Sequence, residues 1–351
     1  MFDFNFNLQL FGAGTVVNAT TNYVNSDTGT TTAFEGSNTL SPTMKTYYDT
    51  ELLENARSEL IFAQLGKKQP LPANKGRTVE WRKWNTLPNA GVLQEGVIPT
   101  GEKLGQTTLN ASLDQLGMFV AITDLLDLHA VDNVLLGATE ELGASAGETM
   151  DACIRDELMT GTNVMFGGMS NGVGDMPNNE SAYLTPDMVN IAATTLKKNK
   201  APRINGKYVA VIHPSAAYDL RSSDEWIEAH KYAATTEIFN GEIGELHGVR
   251  FVETTNAPVY EYNGLMVYST FFFGKDAFGI IDPEGGSMEM IVKDKSEVGG
   301  PLEQYSTAGY KFEQCTKILY PERLLRVDTR GTFSSRDSAN VESPYDNVSP
   351  T

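Results

Sequence analysis

Thr78-Val79-Glu80-Trp81-Arg82-Lys83-Trp84 decides how the rest of the chain is organised. Val79, Trp81 and Lys83 alternate with Glu80, Arg82 and Trp84, a period of two that suits a pleated strand and not a helix. β-branched and aromatic residues favour the same state. A second run, Thr107-Thr108-Leu109-Asn110-Ala111-Ser112-Leu113, sets Leu109, Ala111 and Leu113 on one side. Between the two, residues 85–106 carry Pro88, Gly91, Gly96, Pro99, Gly101 and Gly105 with little periodicity. A connection that long is usually functional when it occurs in a compact domain. The pattern predicts a long two-stranded hairpin with an extended tip, from Arg77 to Gly117. A two-stranded ribbon is marginally stable in water by itself. It is therefore expected to lie on something, with a second chain as the support.

Working outward, Asp132 stands as an N-cap before a helical pattern from Asn133 to about Thr160, in which Val134, Ala138, Leu142, Ala146, Met150, Cys153, Ile154 and Leu158 recur at three or four. Gly161 ends it. Such a helix would be roughly 40 Å long, and Gly137, Gly143 and Gly147 would weaken it unless a close neighbour compensates. A spine helix lying against a sheet satisfies that condition. Further on, Thr185-Pro186-Asp187 opens a helix with a cap, a proline in the first turn and an acid, and Lys197 and Lys198 close it before Pro202. Tyr208–Ile212 reads as a buried strand, with short helical pieces at Ser215–Leu220 and Glu225–Tyr232. Strand-like runs follow at Val249–Glu253, Leu265–Ser269, Gly279–Ile281, Met288–Val292, Tyr305–Phe312 and Leu324–Asp328. Helices and strands mixed without a regular alternation place the fold in the α+β class.

Upstream of the hairpin, Tyr47–Ala63 has helical spacing that Pro70 and Pro72 stop, and residues 1–44 are poor in charge and rich in Thr, Asn, Gly and Ser. That stretch cannot bury enough apolar surface to offset the entropy of ordering it alone. It reads as a tail or as an arm that orders on a partner, and residues 331–351 repeat its composition.

The chain has 351 residues and a net charge of −18. Length allows two or three domains, and the acidic balance argues against tight, sequence-independent nucleic-acid binding. Cys153 and Cys315 are far apart and read as reduced thiols of an intracellular protein. The N-terminus lacks a signal-peptide pattern, and no apolar run reaches the length of a membrane span.

Catalytic signatures are sparse. Gly143-Ala144-Ser145-Ala146-Gly147 matches the G-x-S-x-G nucleophile elbow, which needs a strand before the serine, whereas Ser145 falls inside the helical pattern. His129, His213, His230 and His247 show no metal-ligand spacing. No metal or cofactor is expected. Two alternatives follow from these residues: a serine hydrolase using Ser145, and a single-stranded nucleic-acid binder stacking bases on Trp81 and Trp84. Charge placement points elsewhere. Residues 45–83 are net basic, whereas residues 84–196 hold Lys103 and Arg155 as their only cations among many acids. Head-to-tail association would bring the two together. The residues expected at such a contact are Trp81, Arg82, Lys83, Trp84, Leu93, Val97, Lys67 and Lys68, facing Glu140, Glu141 or Glu148 of a neighbour.

Several long motifs in order carry a resemblance: Leu40-Ser41-Pro42-Thr43-Met44-Lys45-Thr46-Tyr47-Tyr48, Lys67-Lys68-Gln69-Pro70-Leu71-Pro72 leading to Thr78–Lys83, Ile238–Gly244, and Gly248–Thr254. They resemble the major capsid proteins of tailed bacteriophages, in the family named for the capsid protein of coliphage N-four. The likeness runs from about residue 40 to 328. It implies an HK97-like fold with an N-terminal arm and helix (1–75), an extended-loop hairpin (76–118), a peripheral domain (119–182 and 302–335), an axial domain (183–301) and a C-terminal tail (336–351). It also implies a structural protein, not an enzyme, whose copies form the hexamers and pentamers of a virion capsid assembled in the bacterial host cytoplasm. The partners it implies are a separate scaffolding protein, a portal protein and packaged double-stranded DNA, with a decoration protein left open and no membrane. A net acidic shell would hold that DNA weakly and without sequence preference.

Overall fold

The computed structural model describes residues 60–71, 77–85, 101–129, 134–227, 242–283, 288–298 and 304–345, with the single positions 87, 89, 90, 92 and 302. The chain divides into two compact units. One comprises Met1–Arg57, Leu116–Ala146 and Met288–Phe312, and the other Ser58–Gln115, Gly147–Ser287 and Glu313–Thr351.

The second unit is organised by a seven-stranded sheet in the order Val164–Phe166, Leu324–Thr329, Leu265–Phe273, Tyr208–Ile212, Val249–Glu253, Glu242–Leu246, with Val259–Tyr262 paired to the first half of Leu265–Phe273. All five residues of Tyr208–Ile212 are buried, as a strand covered on both faces requires. The pleat sorts their side chains. Tyr208, Ala210, Ile212 and Phe272 pack under the helices Pro186–Lys198 and Pro214–Arg221, against Met188, Ala192, Leu196 and Leu220. Val211, Phe271 and Phe273 turn the other way, onto Ile154 and Leu158 of the spine helix and onto Phe62. Pro186–Lys198 ends as its sequence predicts: Thr185 accepts from the Met188 N–H, Pro186 occupies the first turn, and Lys197 and Lys198 complement the C-terminal dipole.

The spine helix, Val134–Met159, has 26 residues and is about 39 Å long. Its first half belongs to the smaller unit, whose sheet runs Glu289–Lys293, Tyr305–Gln314, Asp114–Thr123. Two glycines let the last two strands approach. A Cβ on Gly309 would fall 2.6 Å from the Phe119 Cβ, and one on Gly117 2.6 Å from the Tyr310 carbonyl oxygen.

The hairpin forms in one unbroken register from Thr78 paired with Ser112 to Trp84 paired with Gln106. Its support differs from expectation. Val79 and Trp81 pack on Leu113, Ile281, Cys315 and Leu319 of the same chain, so the base of the ribbon needs no second copy beneath it. Beside it Lys67–Leu71, where the prolines are expected only to stop the preceding helix, folds as a strand parallel to Phe278–Pro283. Pro70 is tolerated there because this strand is the edge of its three-stranded sheet. Of the helix expected over Tyr47–Ala63, residues 47–59 lie outside the described residues, Leu60 and Ile61 are not helical, and a single helical turn runs Phe62–Leu65.

Leu324–Thr329 pairs residue by residue with Tyr268–Phe273, so the last strand shares the sheet of residues 208–273. Residues 331–345, compositionally a tail, are held by polar contacts. Asn340 Oδ1 accepts from the Val259 N–H at 2.8 Å. Asp337 Oδ2 accepts from the Tyr268 hydroxyl at 2.7 Å and from Ser215 Oγ at 2.5 Å. A hydropathy pattern is blind to attachment of this kind.

Candidate assembly surface

The strand Thr78–Trp84 separates the residues expected to act together. Trp81 is buried at 6% exposure, its indole lying on the Gly279 backbone, whereas Trp84 stands 60% exposed on the opposite face. One stacking platform made of both rings is therefore not available. Arg82 pairs along its own strand with Glu80 at 2.9 Å. Lys83 reaches Glu322 at 3.4 Å and lies 4.4 Å from the centre of the Tyr320 ring. Lys67 and Lys68 are exposed, opposite Gly279 and Ile280 in the parallel pairing. Leu93 and Val97 lie outside the described residues. Glu140, Glu141 and Glu148 are exposed on the spine helix, Glu141 and Glu148 on one stripe two turns apart.

Sequence reasoning missed an apolar surface on the edge strand of the smaller sheet. Met118, Phe119, Val120, Leu125 and Leu126 are all exposed there, on Asp114–Thr123 and the helix Asp124–His129 that follows. A ten-residue edge strand with such side chains is a surface built for pairing or covering. The signal was available in the run Leu116-Gly117-Met118-Phe119-Val120-Ala121-Ile122, apolar throughout and thus ill suited to solvent on either side.

Ser145 does not stand at the strand-to-helix turn that a nucleophile elbow needs: it lies in the middle of the unbroken spine helix, its hydroxyl 3.3 Å from that of Tyr310. His213 caps Pro214–Arg221, its Nδ1 accepting from the Ser215 N–H at 3.2 Å, and burial holds its imidazole below the usual range. Cys153 and Cys315 are unbridged. Burial raises both thiols, Cys315 to about 11, which keeps them protonated and unreactive. Among the described residues no group of three or more His, Cys, Asp or Glu could hold a metal ion. Nor is any described helix long and apolar enough to cross a membrane.

The spine helix also holds the chain near its two ends. Asp151 is buried, and its Oδ1 accepts from the backbone N–H of Phe62 at 2.8 Å and of Ala63 at 3.3 Å. One turn on, Arg155 donates to Asn256 Oδ1 at 2.7 Å and to the Asn340 carbonyl at 3.2 Å. Burial pushes the Asp151 carboxyl up to about 6, against the pull of those backbone donors. Between about pH 4 and 6 the folded chain keeps a proton that the unfolded chain has released, so this group costs stability as pH rises, about 3 kcal/mol in full. Asp151→Asn keeps an acceptor and removes the titration. The stability of the natural protein relative to this variant, by urea denaturation, is expected to fall by about that amount from pH 4 to pH 7. A difference that stays flat with pH would show that Asp151 does not titrate in this window.

No family model matches the chain, and no curated protein matches it in sequence. Solved structures do match. The capsid of cyanophage P-SCSP1u aligns with a TM-score of 0.60 at 15% identity, over 78% of this chain and 89% of that one. The capsid of Ralstonia phage GP4 gives 0.60 at 16% identity, over 76% and 87%. The acid-stable capsid of the Helicobacter pylori bacteriophage KHP30 gives 0.60 at 8% identity, over 87% and 96%. The chain has the fold of these phage capsid chains. Within this capsid fold the exposed Trp84, the apolar edge strand and the acidic stripe of the spine helix are surface features, and Trp81 is a prop that carries the hairpin from beneath.

Proposed function

We propose that the chain is the major capsid protein of a tailed bacteriophage, whose copies assemble into an icosahedral head shell enclosing double-stranded DNA. The observation that carries this reading is the extent of the likeness: it takes in most of this chain and nearly all of several phage capsid chains, so the whole molecule, not one grafted motif, follows the capsid plan. A structural role also fits a surface whose notable features are apolar and charged patches.

In the finer reading, the chain belongs to the N-four-type branch and follows the HK97 layout. The hairpin is the extended loop that overlies an adjacent subunit, touching it through Trp84, Leu93 and Val97, with Arg82, Lys67 and Lys68 near its base. Copies close into hexamers and pentamers on a separate scaffolding protein in the host cytoplasm, around a portal.

Negative-stain microscopy of the purified chain, alone and with its scaffold, tests the class. Uniform hollow shells or rings of five and six are expected. A persistent monomer in every condition would sink the proposal.

A further inference from the structure

Residues 197–207, Lys-Lys-Asn-Lys-Ala-Pro-Arg-Ile-Asn-Gly-Lys, hold five cations and no acid in a chain of net charge −18. Helix-dipole complementarity explains Lys197 and Lys198 at the end of Pro186–Lys198. It does not explain what the fold adds beside them. The Lys275 N–H donates to the Pro202 carbonyl at 2.8 Å, and the Gly274 N–H to the Arg323 carbonyl at 2.8 Å. Arg323 Nη1 donates to the Lys275 carbonyl at 3.1 Å, and the Asn199 side chain to the Glu322 carbonyl at 3.2 Å. Three segments far apart in sequence are thereby tied together, which brings the segments of the exposed Lys197, Lys198, Lys200, Arg203 and Lys275 and the half-buried Arg323 side by side.

None of these six has an acidic partner among the described residues. Their neighbours do: Lys207 pairs with Glu245, and Lys83 takes Glu322. The patch is also stiffened. Arg323 stacks 3.8 Å from the centre of the Tyr320 ring and Arg203 lies 5.6 Å from that of Tyr208. Asn205 and Gly206, both at positive φ, close a tight turn with Ile204 and Lys207 bonded to each other in both directions. Like charges held this close repel unless something acidic meets them.

We infer that this patch docks the acidic face of a second copy of the same chain, in particular the spine-helix stripe of Glu140, Glu141 and Glu148. Those three carboxylates lack a basic partner among the described residues, and Arg155 is the sole cation of the 26-residue helix. The inference rests on the capsid reading and alters its details: Arg82 and Lys83 are occupied within their own chain, so the basic side of the contact moves to residues 197–203, 275 and 323.

The test is sedimentation velocity of the full chain at low and high salt, with folding checked by circular dichroism. K198E/K200E/R203E/K275E is expected to weaken low-salt self-association about a hundredfold, and the same four positions changed to Gln to weaken it less. E140K/E141K/E148K should weaken it likewise, and both sets combined in one chain should restore it. Shells that form equally well with the patch reversed would overturn this contact and leave the capsid reading standing. A natural chain that never self-associates overturns both. Loss without restoration in the combined variant overturns it too. So does binding of a duplex oligonucleotide that disappears on reversal while self-association stays unchanged, which would make the patch a phosphate-binding surface.

Discussion

Asp328→Ala is expected to destabilise the chain by about 3–5 kcal/mol, because it strands a buried guanidinium. Arg326 and Asp328, two residues apart on one strand, are both buried, with Arg326 Nε 3.1 Å from Asp328 Oδ1. The carboxylate is also the acceptor for three hydroxyls: Ser269 at 2.7 Å, Tyr260 at 3.0 Å and Tyr345 at 3.2 Å. Burial, and then the charge of Asp328, hold the Tyr260 phenol far above its ordinary range and push that of Tyr345 up to about 12, so both stay donors at any physiological pH. Truncation removes the acceptor from all of them at once. Arg326 Nη2 still reaches the Tyr345 hydroxyl at 2.6 Å, but no negative charge remains near it. Asp328→Asn keeps the acceptor and should lose less. Urea denaturation reads the difference; a loss below about 1 kcal/mol would mean that water reaches the site or that the sheet relaxes around it.

Phe62→Ala should cost about 3–5 kcal/mol by emptying a site that the surrounding sheet cannot fill. The ring is fully buried and meets Phe271 edge-on at 5.9 Å and Phe273 at 6.4 Å, while its backbone N–H is tied to Asp151. Both phenylalanines belong to a strand buried on both sides, so their freedom to move inward is small. Phe62→Leu, nearer in volume, should lose less than half as much. The same denaturation series checks it, and a cost near that of an exposed substitution would remove Phe62 from the core.

The local elements were legible because their signals are local. The alternation of Val79, Trp81 and Lys83 gave the strand and its buried face, and the Thr185-Pro186-Asp187 cap gave the start of a helix. The spine helix ends within a residue or so of where its pattern stops before Gly161, while its expected N-cap, Asp132, lies outside the described residues. Lys67–Leu71 carried no legible strand signal because proline speaks against a ladder, yet an edge strand does not need the missing N–H. Composition hid the attachment of residues 331–345 because side-chain hydrogen bonds and the isolated apolar anchors Val341 and Tyr345 hold them, and neither leaves a periodic pattern.

The sequence alone determined the α+β class, the hairpin, the spine helix, the lack of a convincing catalytic motif and, through a resemblance, the capsid reading. Periodicity, caps and composition act over a few residues, and each is written where it acts. Tertiary structure alone decided that Trp81 props its own chain, that Leu324–Thr329 enters the large sheet, and that Asp151 and Asp328 are buried anchors. It also brought the segments of Arg203, Lys275 and Arg323 side by side. A pattern tells which side of an element is apolar but not what lies against it. Burial, charge density and pairing depend on groups brought together from more than a hundred residues apart.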